Sequence, residues 1–162
     1  MKISISRYLL ITAVAFLSVS GLFGGIMLMI DPSGSLLSMP LWLLDNTIFR
    51  TYLIPGVILF LFLGIFPAFT LYGLITKRQF IFTYKVSPYS NKHWAWVYSL
   101  YCGIILILWI EFQVMLIGYG HYIQIVYALL GVLIIILTIL PSMMKCYRIK
   151  GRSSKGKKRK RG

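Results

Sequence analysis

Residues 94–118, WAWVYSLYCGIILILWIEFQVMLIG, form an apolar run that contains one carboxylate, Glu111. A helix rises about 1.5 Å per residue and a bilayer span needs about 20 mostly apolar residues, so this run can cross a membrane. An ionisable group inside such a span costs about 3 kcal/mol or more to insert. Glu111 is therefore predicted to be neutralised, paired or functional.

The composition of the whole chain is typical of a membrane protein. Of its 162 residues, 59% are hydrophobic and 12% are charged, whereas soluble domains carry about 25% charged residues. Three further apolar runs have span length, so the predicted fold is all-α, a polytopic bundle of four transmembrane helices. The spans are expected at about 8–30, 52–75, 94–117 and 122–142, within one domain of residues 1–145.

The first apolar run has a second interpretation. Ser18-Val19-Ser20 before Gly21 is an acceptable cleavage site for a secretory signal peptide. The run continues past that site to Ile30, which is span length and favours an uncleaved first helix. Gly21 and Gly25 place two small residues four apart, which predicts close helix packing inside the bundle rather than a dimer contact.

The connection between the first two runs is too apolar for an ordinary loop. Asp31-Pro32-Ser33-Gly34 predicts a turn that ends the first helix. Ser38 is expected to cap a short outer interfacial helix that contains Leu41 to Leu44, with Trp42 as its anchor in the headgroup region. A lid over an outward-facing cavity is the alternative role of this segment.

The second apolar run contains two prolines. Pro55 falls in the first turn, where a missing N–H costs no hydrogen bond. Pro67 lies well inside the run and is predicted to kink the helix. Such kinks line binding cavities in some transporters but are common in membrane helices, so Pro67 alone indicates no function.

The basic residues are distributed very unevenly. With four spans, both termini and the connection at 77–93 lie on one side, and they carry sixteen of the seventeen Lys and Arg residues, all except Arg50. Cytoplasmic segments of membrane proteins are enriched in Lys and Arg, so both termini are predicted to be cytoplasmic. Residues 146–162 are predicted to form a disordered polybasic tail.

Anionic lipids at the cytoplasmic face are the expected partner of the tail. Each basic residue near such a surface contributes about 1 kcal/mol of attraction. Specific nucleic-acid binding is not expected, because no aromatic residues alternate with the basic ones to stack on bases. The predicted lipid contacts are Lys155, Lys157, Lys158, Arg159, Lys160 and Arg161.

A polar cluster is predicted near the outer mouth of the bundle, where a tight reversal at residues 118–121 joins the last two spans. The candidate residues lie within a few helical turns of the outer surface and comprise Glu111, Gln124, Tyr127, His121 and Arg50. Gln113 lies about 200° around the helix from Glu111 and is expected to face a different neighbour.

Two interpretations of this cluster stay open. The residues form either a hydrogen-bonded clamp between the last two spans or an outward-facing pocket for a small ligand or a proton. The favoured function is a structural, accessory or small-ligand-binding membrane protein. The alternative is a small transporter or channel-like subunit that uses Glu111 as a proton or cation site, and that would need to oligomerise.

Catalysis is not predicted. The chain has no Cys-x-x-Cys or Cys/His spacing suited to a metal, and no nucleophile-elbow or phosphate-loop motif. No catalytic residue, metal ligand or cofactor is therefore expected. A second copy of the chain or another membrane protein is a possible partner.

Four short motifs together carry a resemblance: DPSG, LLSMP, YLIPG at the start of the second run and WIEFQ late in the third. The set resembles a family of uncharacterised small four-span integral membrane proteins of bacteria, over roughly residues 8–145. The resemblance implies a four-helix protein of the bacterial plasma membrane. It brings no catalytic residues with it.

Overall fold

The computed structural model describes residues 2–45, 47–78, 92–118 and 122–148. These residues contain no strand, and a single isolated antiparallel bridge joins Lys92 to Arg148. The expected all-α class is confirmed. The predicted lipid contacts at 155–161 and His121 lie outside the described residues.

The first two apolar runs form two long helical segments. The first is α1, Lys2–Ile30. The second is continuous but has three parts: α2 (Leu53–Ile58), a π-helix (Leu59–Ile65) and α3 (Phe66–Thr76). The distortion near Pro67 therefore takes the form of a π-helix in the seven residues before Phe66.

The last two runs form α4, Trp94–Ile117, and α5, Tyr122–Ile139. Pro141 starts a separate short helix, α6, Pro141–Cys146. The predicted fourth span, which reached to residue 142, thus ends a few residues early, because a proline with no N–H begins a new helix rather than continuing the old one.

Four segments are long and apolar enough to cross a membrane. They are Ile5–Ile30, Leu53–Thr76, Trp94–Met115 and Tyr122–Ile139, each within a few residues of the predicted span. The segments pack in a ring in which α1 contacts the second segment and α5, and α4 contacts α3 and α5.

Glycine sets the closest approach in this ring. A Cβ on Gly21 would overlap the carbonyl of Leu63, and one on Gly25 would lie 2.7 Å from Phe60 N. Pro67 has no N–H for the α-helical bond to Leu63 O four residues earlier, and α1 approaches closely at this carbonyl. The predicted intramolecular role of the two glycines is confirmed.

The ring has two different ends. We call the end with Arg7, Lys77 and Lys92 the basic end, and the opposite end, with residues 31–52 and Gly118, the loop end. At the basic end, Arg7 donates to the Leu74 and Ile75 carbonyls at 3.2 and 3.0 Å. These carbonyls belong to the last turn of α3, where a cation is favourable.

The domain extends further than the predicted boundary at residue 145. Tyr147 is 2% exposed, its hydroxyl donates to Leu74 O at 2.7 Å, and its carbonyl accepts from His93 N at 2.8 Å. Cys146, Tyr147 and Arg148 therefore belong to the helical domain and not to the tail. The sequence prediction was wrong here because both partners of Tyr147 are distant in sequence.

The loop end carries two short 3₁₀ helices, Ser35–Leu37 and Leu41–Leu44. The expected helix is therefore present as a single 3₁₀ turn, with Trp42 67% exposed. Ser38 does not cap it, since Pro40 occupies the N-cap position and Ser38 ends the preceding turn at φ 54°. Tyr52 fixes this geometry by donating from its hydroxyl to Pro40 O at 3.0 Å.

Candidate functional site

A cavity of about 430 Å³ lies inside the ring toward the loop end. Its walls come from α1, the π-helix, α4 and α5, and the loop between α1 and α2 covers it. No charged side chain lines it in the described part of the chain. Its polar lining residues are Ser20, Ser38, Gln113, Gln124 and Tyr127.

Helical spacing explains which side chains reach the cavity. On α4 the lining positions are Leu106, Trp109, Ile110 and Gln113, which are spaced by three and four residues and so share one helix face. A Cβ on Gly103 would lie 2.8 Å from Gly131 O. This contact between α4 and α5 turns the face that contains Gln113 inward.

The cavity is polar near the loop end and apolar deeper in the ring. Gln113 and Gln124 lie within a turn or so of the helix ends that face the loop. The wall toward the centre of the ring is formed by apolar side chains from three segments, Leu17, Leu63 and Leu106. The site therefore combines an uncharged polar rim with an apolar interior.

Gln124 is the most informative side chain of the rim. It is 5% exposed, and its Nε2 donates to Gly118 O at 3.4 Å. Its Oε1 is buried and has no hydrogen-bond partner among the described atoms. Leaving a buried acceptor unpaired costs about 1–3 kcal/mol, so Gln124 Oε1 favours a donor that the described residues do not supply.

Tyr127 lies one turn deeper on α5. Its ring stacks on Phe16 of α1 with a centroid distance of 6.2 Å and an interplanar angle of 22°. This aromatic contact joins α5 to α1 in the ring of helices. Tyr127 therefore presents a phenol to the cavity from a fixed position.

Glu111 lies outside this site, contrary to the prediction. It is exposed and faces outward with Leu108 and Met115, which are 62% and 85% exposed. Glu111 and Gln113 face different directions on α4, as predicted. It is Gln113, and not Glu111, that lines the cavity together with Gln124 and Tyr127. The prediction failed because it assigned the inward face of α4 from its only acidic residue.

Arg50 is also separate from the cavity. It is exposed, does not line the site, and forms no ion pair with Glu111 in the described residues. Of the five predicted candidates, the structure thus brings Gln124 and Tyr127 together at the cavity. Among the described candidates, no hydrogen bond joins Glu111 to Gln124, Tyr127 or Arg50, and the place of His121 in the predicted cluster lies outside the described residues.

The covering loop is held by an unusual set of hydrogen bonds. The carboxylate of Asp31 accepts from the Ser33 and Ser35 hydroxyls and from the Leu36 N–H. These bonds, that from Ser33 first, hold the pKa of Asp31 well below its usual range. Leu37, Ser38, Met39 and Leu43 then cover the cavity, which matches the alternative lid geometry for this segment.

The basic end contains a second buried polar group, His93. It is 4% exposed, its Nδ1 accepts from Ala95 N at 3.2 Å, and its Nε2 has no hydrogen-bond partner in the described residues. Burial lowers the pKa of His93, although the Lys77 and Arg78 carbonyls partly oppose this shift. His93 therefore caps α4 as a neutral imidazole.

Neither end offers a metal-binding group of three His, Cys, Asp or Glu residues in the part of the chain that the structure describes. No family model, curated protein or solved structure matches the chain. The resemblance to small bacterial membrane proteins stays a prediction.

Proposed function

We propose that the protein is an integral membrane protein of the bacterial plasma membrane whose cavity binds a small, uncharged amphiphile. The four helical segments would form a transmembrane bundle. Large apolar side chains on the outside of the ring support this placement, since Phe16, Val19 and Leu133 are 53%, 69% and 46% exposed. Such a surface is favourable in lipid and costly in water.

Charge supports an orientation with both termini in the cytoplasm. Arg7, Lys77, Lys92 and Arg148 lie at the basic end, whereas Asp31 and Asp45 lie at the loop end. The excess of basic residues belongs on the cytoplasmic side of a membrane. The cavity would then lie in the outer half of the bilayer under an external loop.

The cavity is the observation that carries the proposed function. Ligand sites in proteins are clefts of about 300–1,000 Å³ with mostly apolar walls and a few polar groups, and a cavity of about 430 Å³ with this lining fits that description. The uncharged rim and the apolar interior favour a neutral amphiphile with its polar group near the loop. A membrane alcohol or amide would meet both requirements.

The unpaired Gln124 Oε1 supports the same ligand class. After a small side-chain rotation, a hydroxyl or an N–H of the ligand would supply the missing donor. A purely structural clamp has less support, because Glu111 contacts neither Gln124 nor Tyr127 in any described hydrogen bond. A proton or cation site at Glu111 has no supporting observation, since the carboxylate faces away from the cavity.

Photolabelling in bilayer nanodiscs tests the proposal. The probe is a decanol analogue that carries a diazirine, and labelled residues are located by mass spectrometry. We expect saturable labelling of cavity residues such as Met39 and Trp109, suppressed by excess decanol. Labelling confined to outward-facing residues such as Leu133 would contradict the proposal.

Two variants that fill the cavity from opposite walls provide the controls. Ser20→Phe and Gln113→Phe should abolish labelling of Met39, because each adds an aromatic ring to the space. Val19→Phe adds a comparable ring to the neighbouring residue, whose side chain is 69% exposed. It should leave the labelling unchanged, and so should establish that loss of labelling reflects occupancy of the cavity.

A further inference from the structure

Basic side chains converge on residues 144–148 at the basic end. Lys77 Nζ donates to Cys146 Sγ at 3.2 Å and lies 5.0 Å from the centroid of the Tyr147 ring. Lys92 Nζ donates to Met144 O at 2.7 Å. The Lys92 backbone pairs with Arg148 in the isolated bridge. Three cations from three parts of the chain thus meet around one short segment.

No carboxylate balances these cations. The chain has only three acidic residues, and Asp31, Asp45 and Glu111 all lie in or toward the loop end. Lys77 and Lys92 instead use a thiol, a carbonyl and aromatic rings as partners. Such neutral partners orient an ammonium group without cancelling its charge.

Arg148 is close enough to Lys92 to act on its charge. Burial and, second, the charge of Arg148 lower the pKa of Lys92. Lys77 and Arg148 are exposed, so an anion can reach them. The cluster therefore favours an anionic ligand on energetic grounds and leaves it an approach path.

We propose that Lys77, Lys92 and Arg148 bind the phosphate group of an anionic phospholipid in the leaflet at the basic end. This inference rests on the membrane placement proposed above, but not on the cavity. Ammonium and guanidinium groups are the usual partners of phosphate oxygens. The site is built from the helical domain and is distinct from the polybasic tail.

The surface beside the cluster indicates a lipid rather than a free phosphate. Ile75, in the last turns of α3, is 53% exposed, and Ile139, the last residue of α5, is 48% exposed. These side chains lie next to the basic end and face outward. A phospholipid can place its phosphate at the cations while its acyl chains follow this apolar surface, which a free phosphate cannot use.

Native mass spectrometry of the full-length chain tests this proposal, in detergent micelles that contain either phosphatidylglycerol or phosphatidylcholine. The double variant Lys77→Gln/Arg148→Gln removes two exposed cations of the cluster. Lys2→Gln/Arg50→Gln removes the same charge from outside both the cluster and the tail and is the matched control. Recovery of each variant in the membrane fraction is measured separately, which tests the membrane placement independently of lipid binding.

The wild type and the control variant should retain phosphatidylglycerol in preference to phosphatidylcholine. The cluster variant should retain roughly thirtyfold less phosphatidylglycerol, from the loss of two basic residues near the lipid headgroup. Equal losses in the two double variants, or equal retention of the two lipids, would overturn the proposal. Displacement of the lipid by millimolar inorganic phosphate would overturn the assignment to a phospholipid.

Discussion

The two ends of the helical ring differ in what surrounds their buried polar groups. At the basic end, Trp96 Nε1 donates to Thr138 O at 2.8 Å, and the Tyr147 hydroxyl donates to Leu74 O. At the loop end, Gln124 keeps an unpaired Oε1 beside a cavity that carries no described charge. Buried atoms without a partner among the described residues occur at both ends, since Arg7 Nε and His93 Nε2 lie at the basic end, but Gln124 belongs to the cavity lining and those two residues do not. The loop end therefore has the features of a binding site.

The difference shows how one apolar bundle can separate stability from recognition. Where polar groups cap the ends of helices, they satisfy carbonyls that would otherwise be unpaired. Where a polar group faces a cavity without a partner, it raises the free energy of the empty state. A ligand that supplies the missing donor removes that cost, so an unpaired acceptor beside a cavity favours binding there.

The same glycine substitution at the two ends should give the largest contrast. In Gly73→Ala at the basic end, the added Cβ overlaps the Trp94 ring, which stacks on Phe69 at a centroid distance of 4.8 Å. We expect a loss of about 1–3 kcal/mol in the free energy of unfolding, because the Trp94 side chain has no room to move. Unfolding in mixed detergent micelles measures this change.

Gly24→Ala is the matched control at the cavity. Its Cβ would meet only the Leu59 Cδ2 atom, at 3.0 Å, which belongs to a flexible side chain. We expect little loss or a small gain, since Ala is favoured over Gly in a helix by about 1 kcal/mol. Equal destabilisation by the two substitutions would mean that the two ends are packed alike.

Removal of a polar contact should give the next largest contrast. Trp96→Phe deletes the donor to Thr138 O close to the C-terminal end of α5. We expect a loss of about 1–3 kcal/mol, because a buried carbonyl loses its side-chain partner. Thermal unfolding in detergent measures the loss.

Gln124→Leu is the corresponding change at the loop end and should not destabilise the empty protein. It removes one buried unpaired acceptor and one bond of 3.4 Å to Gly118 O. Replacement of an unsatisfied polar group by an apolar one of similar size is near neutral or stabilising. A loss as large as that of Trp96→Phe would show that Gln124 belongs to a structural clamp.

The pH dependence of stability should be a smaller effect, since a single group is involved. Burial lowers the pKa of His93 in the folded protein, from an ordinary value of 6.5. The unfolded chain therefore binds a proton more readily, and stability is fully present above about pH 6.5. This stability is lost as the pH falls from about 6.5 through the lower pKa that His93 has in the folded protein.

His93→Asn isolates this contribution. Asparagine can still accept a bond from Ala95 N at the N-terminus of α4 but does not titrate in this range. Unfolding of both proteins between about pH 5 and 8 should show a steeper acid loss for the wild type. Parallel curves would assign the acid dependence to another group.

The sequence predicted the helical segments well because their apolar runs and prolines act locally. Features set by distant contacts were not predictable in the same way. The run of basic residues predicts Tyr147 as part of the tail, whereas its hydroxyl donates to Leu74 O, 73 residues away. Ser38 was expected as a helix cap, although the loop geometry depends on Tyr52.

Rotation of α4 about its own axis was the other feature that the sequence left undetermined. A helix that is apolar on every side does not reveal its inward face by periodicity alone. Small residues provide the missing signal, because Gly103 on α4 lies against Gly131 on α5. Counting from Gly103 by helical turns leads to Leu106, Ile110 and Gln113, and so to the cavity.

Glu111→Gln should have the smallest effect of these substitutions. It distinguishes the observed cavity from the predicted cluster around Glu111. Glu111 is exposed, lies outside the cavity lining and has no ion pair in the described residues, so its charge contributes to no described contact. We expect the labelling of Met39 by the decanol probe to be unchanged, because the substitution alters no residue of the cavity lining. Gln113→Leu, two residues along α4, should weaken that labelling because it removes a polar group from the rim. If Glu111→Gln abolished labelling while Gln113→Leu preserved it, the functional face of α4 would be the outward one, and the cavity would lose its role.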